Sequence, residues 1–562
     1  MKATLAGRAP RAVAALWLLL TGAMFVLAAP RVDLPGLYYD EAFMAQQARD
    51  FFDPERIVEH AESTRAIRIF GRPLPLRNAI YLGSLKSLLL LPSFALLEPT
   101  PRVLRLTTLW WSSLALLLLM LWVDRVLGTP TAFLSGTLIA LDPTYHFYSL
   151  YEWGPFTTGF LCRSAGLLLL TAGWQRDGKS GLAAVGAGGL FLGLGVFNRA
   201  DFIVVLAALA LALLLALPAV VQRALYGKRR LVLAAAVGLA IGAAPMWLTL
   251  PELFQTSVSW ALHSRGGLDE KLRVLWSVLD GSRFYRVIDA GGIFGRMFDT
   301  RAPGSGFGRA ACLATWATAG ALGGRVRRKL AGPAHRFVFL AALGTLLATL
   351  FVPGAVRAHH LLNCFPFFHV LVASCLVIGW RALRSASRGK GLARAAIAAG
   401  IALLLMGNAL VIRKTYSLIE QTGGRGWWSD ALSQFAGEID GDPEVRVVSL
   451  DWGFHEQLLF LTREPRMLQP IWRIPARVRE RGAWIHRGRP GDVYLVHPER
   501  YELFGYGPRF LRAVESLAAR ASGAVELRRH LDRSGEVVFL SVRFDRPHRV
   551  SFRGGAFQIA LQ

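Results

Sequence analysis

The chain has 562 residues, of which 53% are hydrophobic, and a formal net charge of +26 at pH 7. Its apolar residues gather in blocks of about 20 instead of recurring with an amphipathic period, which excludes an ordinary soluble core. Lys and Arg fall in short runs between these blocks, where the positive-inside rule places them, so the charge indicates orientation and not nucleic-acid binding. These features predict a polytopic α-helical membrane protein.

The first apolar run, Ala12 to Ala29, follows a basic stretch and imitates a signal peptide. It is long enough to cross a bilayer, and we expect it to be retained as the first span. Further spans are expected near ten positions, which makes about 11 in total. These positions are Leu106, Thr131, Pro155, Leu182, Phe202, Leu231, Ala311, Phe337, Leu361 and Ala395.

The stretch Ala79 to Leu97 decides the orientation, because with Lys86 and Pro92 it is either a span or a helix lying in the interface. If it does not span, the basic clusters at 223–230, 325–329 and 381–394 all lie in the cytoplasm with the N-terminus. We therefore interpret it as interfacial, with Tyr81 and Lys86 reaching the lipid headgroups.

This choice divides the chain into two domains. Residues 1–413 form the transmembrane domain, with external loops 30–104 and 251–309, and residues 414–562 form a soluble extracytoplasmic domain. Alternating apolar runs near 445–450, 493–496 and 537–542, with helical patterns near 431–439 and 510–521, predict that this tail is a small α/β domain. The four cysteines form no CxxC pair, so neither a disulfide nor a cysteine metal site is expected.

An acidic pair, Asp40-Glu41, precedes a helical pattern in the first external loop. One interpretation is structural: Asp40 occupies the N-cap position and Glu41 favours the first turn through the helix dipole. The other is functional, because a helix N-terminus keeps a carboxylate ionised, ready to accept a proton or hold a cation. The residues alone leave both interpretations open.

The chain resembles the GT-C membrane glycosyltransferases, in particular the bacterial relatives of dolichyl-phosphate-mannose protein mannosyltransferases and the lipid A aminoarabinose transferase. The resemblance extends to about Trp380 and runs through short segments in the order of that family: Tyr39-Asp40-Glu41-Ala42, Gly71-Arg72-Pro73-Leu74-Pro75-Leu76, Tyr81-Leu82-Gly83-Ser84-Leu85-Lys86, Pro92, and Arg102-Val103-Leu104-Arg105-Leu106. It implies a GT-C fold in the bacterial inner membrane, with Asp40 and Glu41 as catalytic residues. The implied partners are a polyprenyl-phosphate sugar donor and a protein, lipid or cell-envelope glycan acceptor.

A second acidic site follows the third predicted span, in the segment Leu141 to Pro155. The family pattern there has an Arg before a carboxylate, whereas this chain has Leu150, with Glu152 a few residues early. The resemblance implies that Glu152 is a catalytic residue. Whether Asp142 takes this role instead, or neither residue does, remains open. The structural interpretation of Glu152 is a helix-end residue in water, since carboxylates at membrane depth are costly.

Basic groups at the external ends of spans are the natural partners of a lipid phosphate. Arg357, His359 and His360 are predicted to bind the donor, with interfacial anchoring as the alternative. Arg199 is a further candidate that has Asp201 as an alternative partner, and Arg163 is another in the fourth span. The predicted substrate-binding set is completed by Lys86 and Tyr39.

The sequence therefore predicts an inverting transfer of one sugar to an acceptor at the external face. It predicts no definite cofactor and leaves the use of a divalent cation open. The rival hypotheses are a transporter or lipid flippase, for which many spans and intramembrane charges are also natural, and a non-catalytic protein that keeps the GT-C fold.

The charge asymmetry gives a test of topology. Reporter fusions at Lys390 and after Gln562 should report opposite sides of the membrane, because the 381–394 cluster is expected inside and the tail outside. If both fusions report the cytoplasm, the number of spans and the placement of the tail are wrong.

Overall fold

A computed structural model describes residues 9–54, 65–247, 250–253, 267–304, 332–351, 358–384, 390–464, 467–469, 471, 473–521 and 523–562. In these ranges a bundle of helices carries a small α/β tail. The α-helices are α1 (Pro10–Ala28), α2 (Tyr39–Phe52), α3 (Leu85–Leu96), α4 (Pro101–Leu127), α5 (Thr129–Ala140), α6 (Pro143–Leu150), α7 (Phe156–Trp174), α8 (Gly178–Asn198), α9 (Phe202–Ala216), α10 (Pro218–Gly227), α11 (Arg229–Trp247), α12 (Leu268–Leu279), α13 (Arg283–Asp289), α14 (Pro333–Phe351), α15 (Ala358–Leu361), α16 (Phe367–Arg384), α17 (Lys390–Thr422), α18 (Ala431–Asp440), α19 (His455–Leu461), α20 (Arg473–Arg481) and α21 (Gly507–Ala518).

Within the described residues, seven helices are long and apolar enough to cross a membrane. They are α1, α4, α7, α8, α11, α14 and α17, and each contains a predicted span. The pair α9 and α10 is bent by 99° and makes an eighth if it counts as one span. The prediction of about 11 spans is not confirmed.

Of the three remaining predictions, two have a visible outcome. The span expected from Thr131 is divided into α5, of 12 residues, and α6, of 8 residues. Asp142 and Pro143 explain the break: the Asp142 side chain accepts the Tyr145 N–H at 3.0 Å, and Pro143 starts α6 because it cannot continue α5. The run from Leu361 yields the shorter apolar helix Phe367–Leu383, and the span expected at Ala311 lies outside the described residues.

The stretch interpreted as interfacial contains α3, whose 12 residues span only about 18 Å, too short for the hydrocarbon core. Helix α3 follows a three-stranded antiparallel sheet in the first loop. Its strands are β1 (Arg65–Ile69), β2 (Arg72–Ala79) and β3 (Leu82–Gly83). This sheet packs beside α2 and turns the chain back towards the bundle.

The tail contains the strands β4 (Arg446–Ser449), β5 (Met467–Gln469), β6 (Ala483–Gly488), β7 (Asp492–Val496), β8 (Val525–Leu531), β9 (Val537–Phe544), β10 (His548–Arg553) and β11 (Ala556–Leu561). Five form a sheet in the order β5-β4-β7-β9-β8, parallel from β5 to β7 and antiparallel beyond, and three form a sheet in the order β11-β10-β6. The predicted α/β tail is therefore confirmed. Its expected boundary at 413 lies inside α17, which continues to Thr422.

The tail rests directly on α2. The Tyr38 ring stacks on Trp428 with centroids 4.1 Å apart and planes 8° from parallel. Arg49 of α2 donates a hydrogen bond to the carbonyl of Phe460, at the end of α19. The start of α2 and its Arg49 are thus packed directly against the tail.

A buried ion pair fixes the start of α2. Arg105 of α4 contacts both oxygens of Glu41, at 3.0 Å and 2.9 Å, and the two side chains are 0% and 1% exposed. The guanidinium also donates to the carbonyls of Val32, Pro35 and Gly36 at 2.8–3.1 Å, so each of its N–H groups has a partner. Arg105 therefore fastens the loop before α2 to the bundle.

Breaking this pair should destabilise the protein strongly. Arg105→Ala leaves the Glu41 charge buried and uncompensated, which we expect to cost about 3–5 kcal/mol. Arg102→Ala, on the same helix, is the matched control: its pair with Asp33 is more than half exposed, so its loss should cost at most about 1 kcal/mol. Thermal melting in detergent measures both, and equal midpoints for the two variants would contradict the role of Arg105.

Candidate active site

A cavity of about 650 Å³ lies between the loop that follows α1, the bundle and the tail. The loop contributes α2 and the β2–β3 hairpin, the bundle contributes the chain before α7 and the turn after α8, and the tail contributes two segments. Its lining residues are Tyr39, Asp40, Phe43, Met44, Arg65, Arg77, Ala79, Ile80, Tyr81, Leu82, Gly154, Pro155, Arg199, Glu252, Trp452, Pro475, Ala476 and Arg479. Of the predicted site residues, Tyr39, Asp40 and Arg199 meet here.

Asp40 lies in the first turn of α2, not at its N-cap, which is Tyr38. The expectation that Asp40 caps the helix is wrong, because Glu41 performs the reciprocal function and accepts the Tyr38 N–H at 3.1 Å. Asp40 is thereby left half-buried, facing the cavity from the positive end of the helix dipole. A carboxylate in this position is suited to accept a proton.

Glu41 does not line the cavity. Its two oxygens are occupied by Arg105 and by the Tyr38 N–H, and its side chain is buried. The two members of the acidic pair therefore have different surroundings: Glu41 holds the loop, and Asp40 faces the open space.

Arg199 reaches the cavity from the turn between α8 and α9. Its Nε donates to Oδ1 of Asp201, while Oδ2 of Asp201 lies 2.9 Å from Nδ1 of His360. Asn363 contacts both Arg199 and Asp201 at 3.4 Å. The alternative pairing of Arg199 with Asp201 is thus present, and it directs the guanidinium towards the cavity wall.

Burial opposes ionisation of Asp201, but the charge of Arg199 and the hydrogen bond to His360 outweigh it and hold the pKa of this carboxyl well below its usual range. The carboxylate therefore stays ionised at neutral pH. Arg199 and His360 are oriented by a permanent negative charge at the turn between α8 and α9.

Lys86 does not reach the headgroups, so that expectation is wrong. Its Nζ lies 2.6 Å from Oε2 of Glu152, and the two side chains are 5% and 1% exposed. The other oxygen of Glu152 accepts the Thr157 N–H at 2.6 Å, in the first turn of α7. A charged side chain at this depth is stable because it is paired.

Neither Lys86 nor Glu152 lines the cavity, although Gly154 and Pro155 do. Glu152 is therefore buried, not a helix-end residue in water, and it lies two residues before Gly154 of the cavity lining. Asp142 caps α6 and contacts His369 at 3.2 Å, away from the cavity lining. Arg163 is buried in the bundle and donates to the Asn363 carbonyl at 2.5 Å. Arg357 and the side chain of His359 lie outside the described residues.

Several cavity residues were not predicted. Arg77, which is buried, pairs with Glu252 at 2.9 Å, and the tail contributes Trp452 and Arg479. A signal for Trp452 is present: Asp451-Trp452-Gly453 directly follows the strand-like run 445–450, and the carboxyl ends of parallel strands are where open α/β sheets bind ligands. No group of three or more His, Cys, Asp or Glu side chains suited to a metal ion occurs in the part of the chain that the structure describes.

No protein-family model matches the chain, and no curated protein sequence matches it significantly. Solved structures do match. ArnT from Cupriavidus metallidurans bound to undecaprenyl phosphate is similar over 93% of this chain and 97% of that chain, with a TM-score of 0.56 and 13% identity. The chain has the fold of ArnT. The apo state of that protein gives a TM-score of 0.55 over the same shares, also at 13% identity.

The archaeal oligosaccharyltransferase AglB from Archaeoglobus fulgidus, in complex with an inhibitory peptide and a dolichol-phosphate, is a more distant match. It is 14% identical over 81% of this chain and 64% of its own, with a TM-score of 0.47. The GT-C type of fold expected from the sequence is confirmed by the similarity to ArnT, and at 13% identity that similarity concerns the fold and not the activity.

Two variants test whether the Lys86–Glu152 pair stabilises the fold. Glu152→Gln alone should melt at a much lower temperature, because it leaves Lys86 buried without a counter-charge. The double variant Lys86→Met with Glu152→Gln should recover most of that stability, because removing both charges relieves the penalty. Thermal melting in detergent measures the recovery; a double variant no more stable than Glu152→Gln would contradict the pairing.

Proposed function

We propose that this chain is an inverting membrane glycosyltransferase that takes one sugar from a polyprenyl-phosphate donor and places it on an acceptor at the extracytoplasmic face. The observation that carries the proposal is the position of Asp40, which lines a cavity of about 650 Å³ together with Arg199. The fold supports it, because the similar ArnT structure was solved with undecaprenyl phosphate bound.

The proposed reaction is a single displacement at the anomeric carbon. The acceptor hydroxyl attacks from one face, and its proton passes to the Asp40 carboxylate as the new C–O bond forms. The bond from the anomeric carbon to the phosphate oxygen breaks on the opposite face, and the electron pair leaves with the polyprenyl phosphate. One displacement inverts the configuration of the sugar.

Arg199 is proposed to stabilise the leaving phosphate. A guanidinium offers fixed, often bidentate donors to a phosphate, and Asp201 and His360 hold it at the cavity wall. The interaction should strengthen as negative charge builds on the leaving group, which lowers the barrier and not only the dissociation constant of the donor. Arg357 and His359 remain proposed donor ligands from the sequence.

The other proposed site residues divide by their contacts. Tyr39 lines the cavity beside Asp40 and is proposed to contact substrate. Glu41, Glu152 and Lys86 are proposed to act by positioning, since their charged groups are paired and buried. A divalent cation is not needed to deliver the proton or the leaving group in this scheme, and it remains an open alternative.

Asp40→Asn tests the proposal. The amide keeps the size of the side chain but cannot accept a proton, so turnover should fall by about 100-fold or more with expression unchanged. Asp53→Asn is the matched control, because Asp53 is an exposed residue at the opposite end of the same helix. Membranes carrying each variant are incubated with a panel of radiolabelled polyprenyl-phosphate sugars, and consumption of label is measured.

Two outcomes contradict the proposal. Near-normal transfer by a well-folded Asp40→Asn variant removes Asp40 from the role of base. Movement of an intact labelled donor across the membrane, without loss of its sugar, supports the transporter hypothesis instead.

A further inference from the structure

One wall of the cavity belongs to the tail. Trp452, from the loop after β4, and Pro475, Ala476 and Arg479, from α20, line the cavity together with Asp40 and Arg199. The cavity is therefore completed by a domain that lies outside the bundle, and the chemistry of that wall indicates what it contacts.

Trp452 is held in place from several sides. Its backbone N–H donates to Oδ1 of Asp451 at 2.8 Å, and Oδ2 of Asp451 lies 2.9 Å from Nδ1 of the buried His497. The indole lies 4.5 Å from the Tyr39 ring and 4.5 Å from the Trp427 ring. A half-buried indole fixed in this way presents a rigid apolar surface to the cavity at little cost in side-chain entropy.

The glycine after Trp452 is required by this turn. Gly453 has a φ of +91°, a conformation that side-chain-bearing residues rarely adopt. The chain can therefore leave the strand, expose the indole and enter α19 within a few residues. This local geometry directs Trp452 towards the cavity.

Arg479 is the basic group of the tail wall. Ile474 anchors α20 in the core of the tail, whereas Arg479 is exposed and, among the described residues, makes no ion pair. Two of the other three cavity arginines differ, since Arg77 pairs with Glu252 and Arg199 pairs with Asp201. Four arginines and two carboxylates line the cavity, so its lining carries a net positive charge.

We propose that Trp452 and Arg479 form the acceptor subsite, and that the acceptor is a sugar-containing molecule with an anionic group, either phosphate or carboxylate. This inference rests on the proposed function. The indole packs against the apolar C–H face of a sugar ring, and the guanidinium forms charge-assisted hydrogen bonds with the anion. The subsite takes the acceptor and not the donor phosphate, because the proposed function assigns the donor phosphate to Arg199.

The test measures binding by the purified full-length protein in detergent, without any donor. The probes are pairs of oligosaccharides that differ only in one phosphate, and pairs that differ only in one carboxylate, titrated by calorimetry. We expect the charged member of one kind of pair to bind at least about 10-fold tighter, which corresponds to a single charge-assisted contact of about 1.4 kcal/mol. The pair that shows this difference identifies the anion.

The variants assign the effect to residues. Arg479→Ala should reduce the charged-to-neutral ratio to near one, and Arg479→Lys should retain part of it. Arg481→Ala is the matched control, because Arg481 is an exposed arginine on the same helix that does not line the cavity. Trp452→Leu should weaken both members of a pair equally, and Trp452→Phe should weaken them less.

The proposal is overturned if no charged member binds at millimolar concentration, if the wild-type protein binds both members equally, or if Arg481→Ala lowers the ratio as much as Arg479→Ala. Its failure is separable from that of the proposed function, since binding needs no turnover. If the protein transfers no sugar but keeps the charged-to-neutral ratio, the proposed function is contradicted and the subsite is not. If it transfers sugar without that ratio, the subsite is contradicted and the proposed function is not.

Discussion

The buried pair between Arg105 and Glu41 is the constraint on which the rest of the site depends. It joins a spanning helix to the loop before α2, and the same guanidinium holds the carbonyls of Val32, Pro35 and Gly36. A buried pair of this kind is expensive to assemble and costly to break on one side, so it defines one position of the loop more sharply than apolar packing does. The direction of Asp40 follows from that position, because Asp40 directly precedes Glu41 in the same helical turn.

Three ion pairs hold the elements around the cavity. Arg105–Glu41 holds the loop before α2, and Lys86–Glu152 joins α3 to the chain before α7. Arg199–Asp201, with His360, holds the turn after α8. In each, a carboxylate is occupied by a cation and is therefore unsuited to accept a proton. Asp40 lines the cavity from the first turn of α2.

The sequence predicts much of this arrangement where a local signal exists. Apolar length indicates the long helices, the alternating runs indicate the tail strands, and the acidic pair marks α2. It fails where the outcome depends on contacts far apart in the chain: Lys86 looks like a headgroup anchor until Glu152, 66 positions later, is placed beside it. The break at Asp142-Pro143 does have a local signal, since both residues are typical of a helix start. The apolar residues on both sides of it favour one continuous span instead.

The tail wall is the hardest part to predict. Trp452 reaches the cavity only because the tail folds back on α2, and no pattern near residue 452 reports that the tail and residue 39 are neighbours. The order of residues does give a hint, in the polar turn after a parallel strand, but it does not say which surface that turn faces.

The cavity is lined both by the bundle and by the tail, and this has an evolutionary consequence. On the bundle side, the lining residue Arg199 pairs with Asp201, and Glu152, two residues before the lining residue Gly154, pairs with the buried Lys86, so substitutions of these charged groups disturb the stability of the molecule. The exposed Arg479, in contrast, makes no ion pair among the described residues and can change at little cost to folding. Descendants of this chain can therefore diverge on one side of the cavity while the opposite side stays almost fixed.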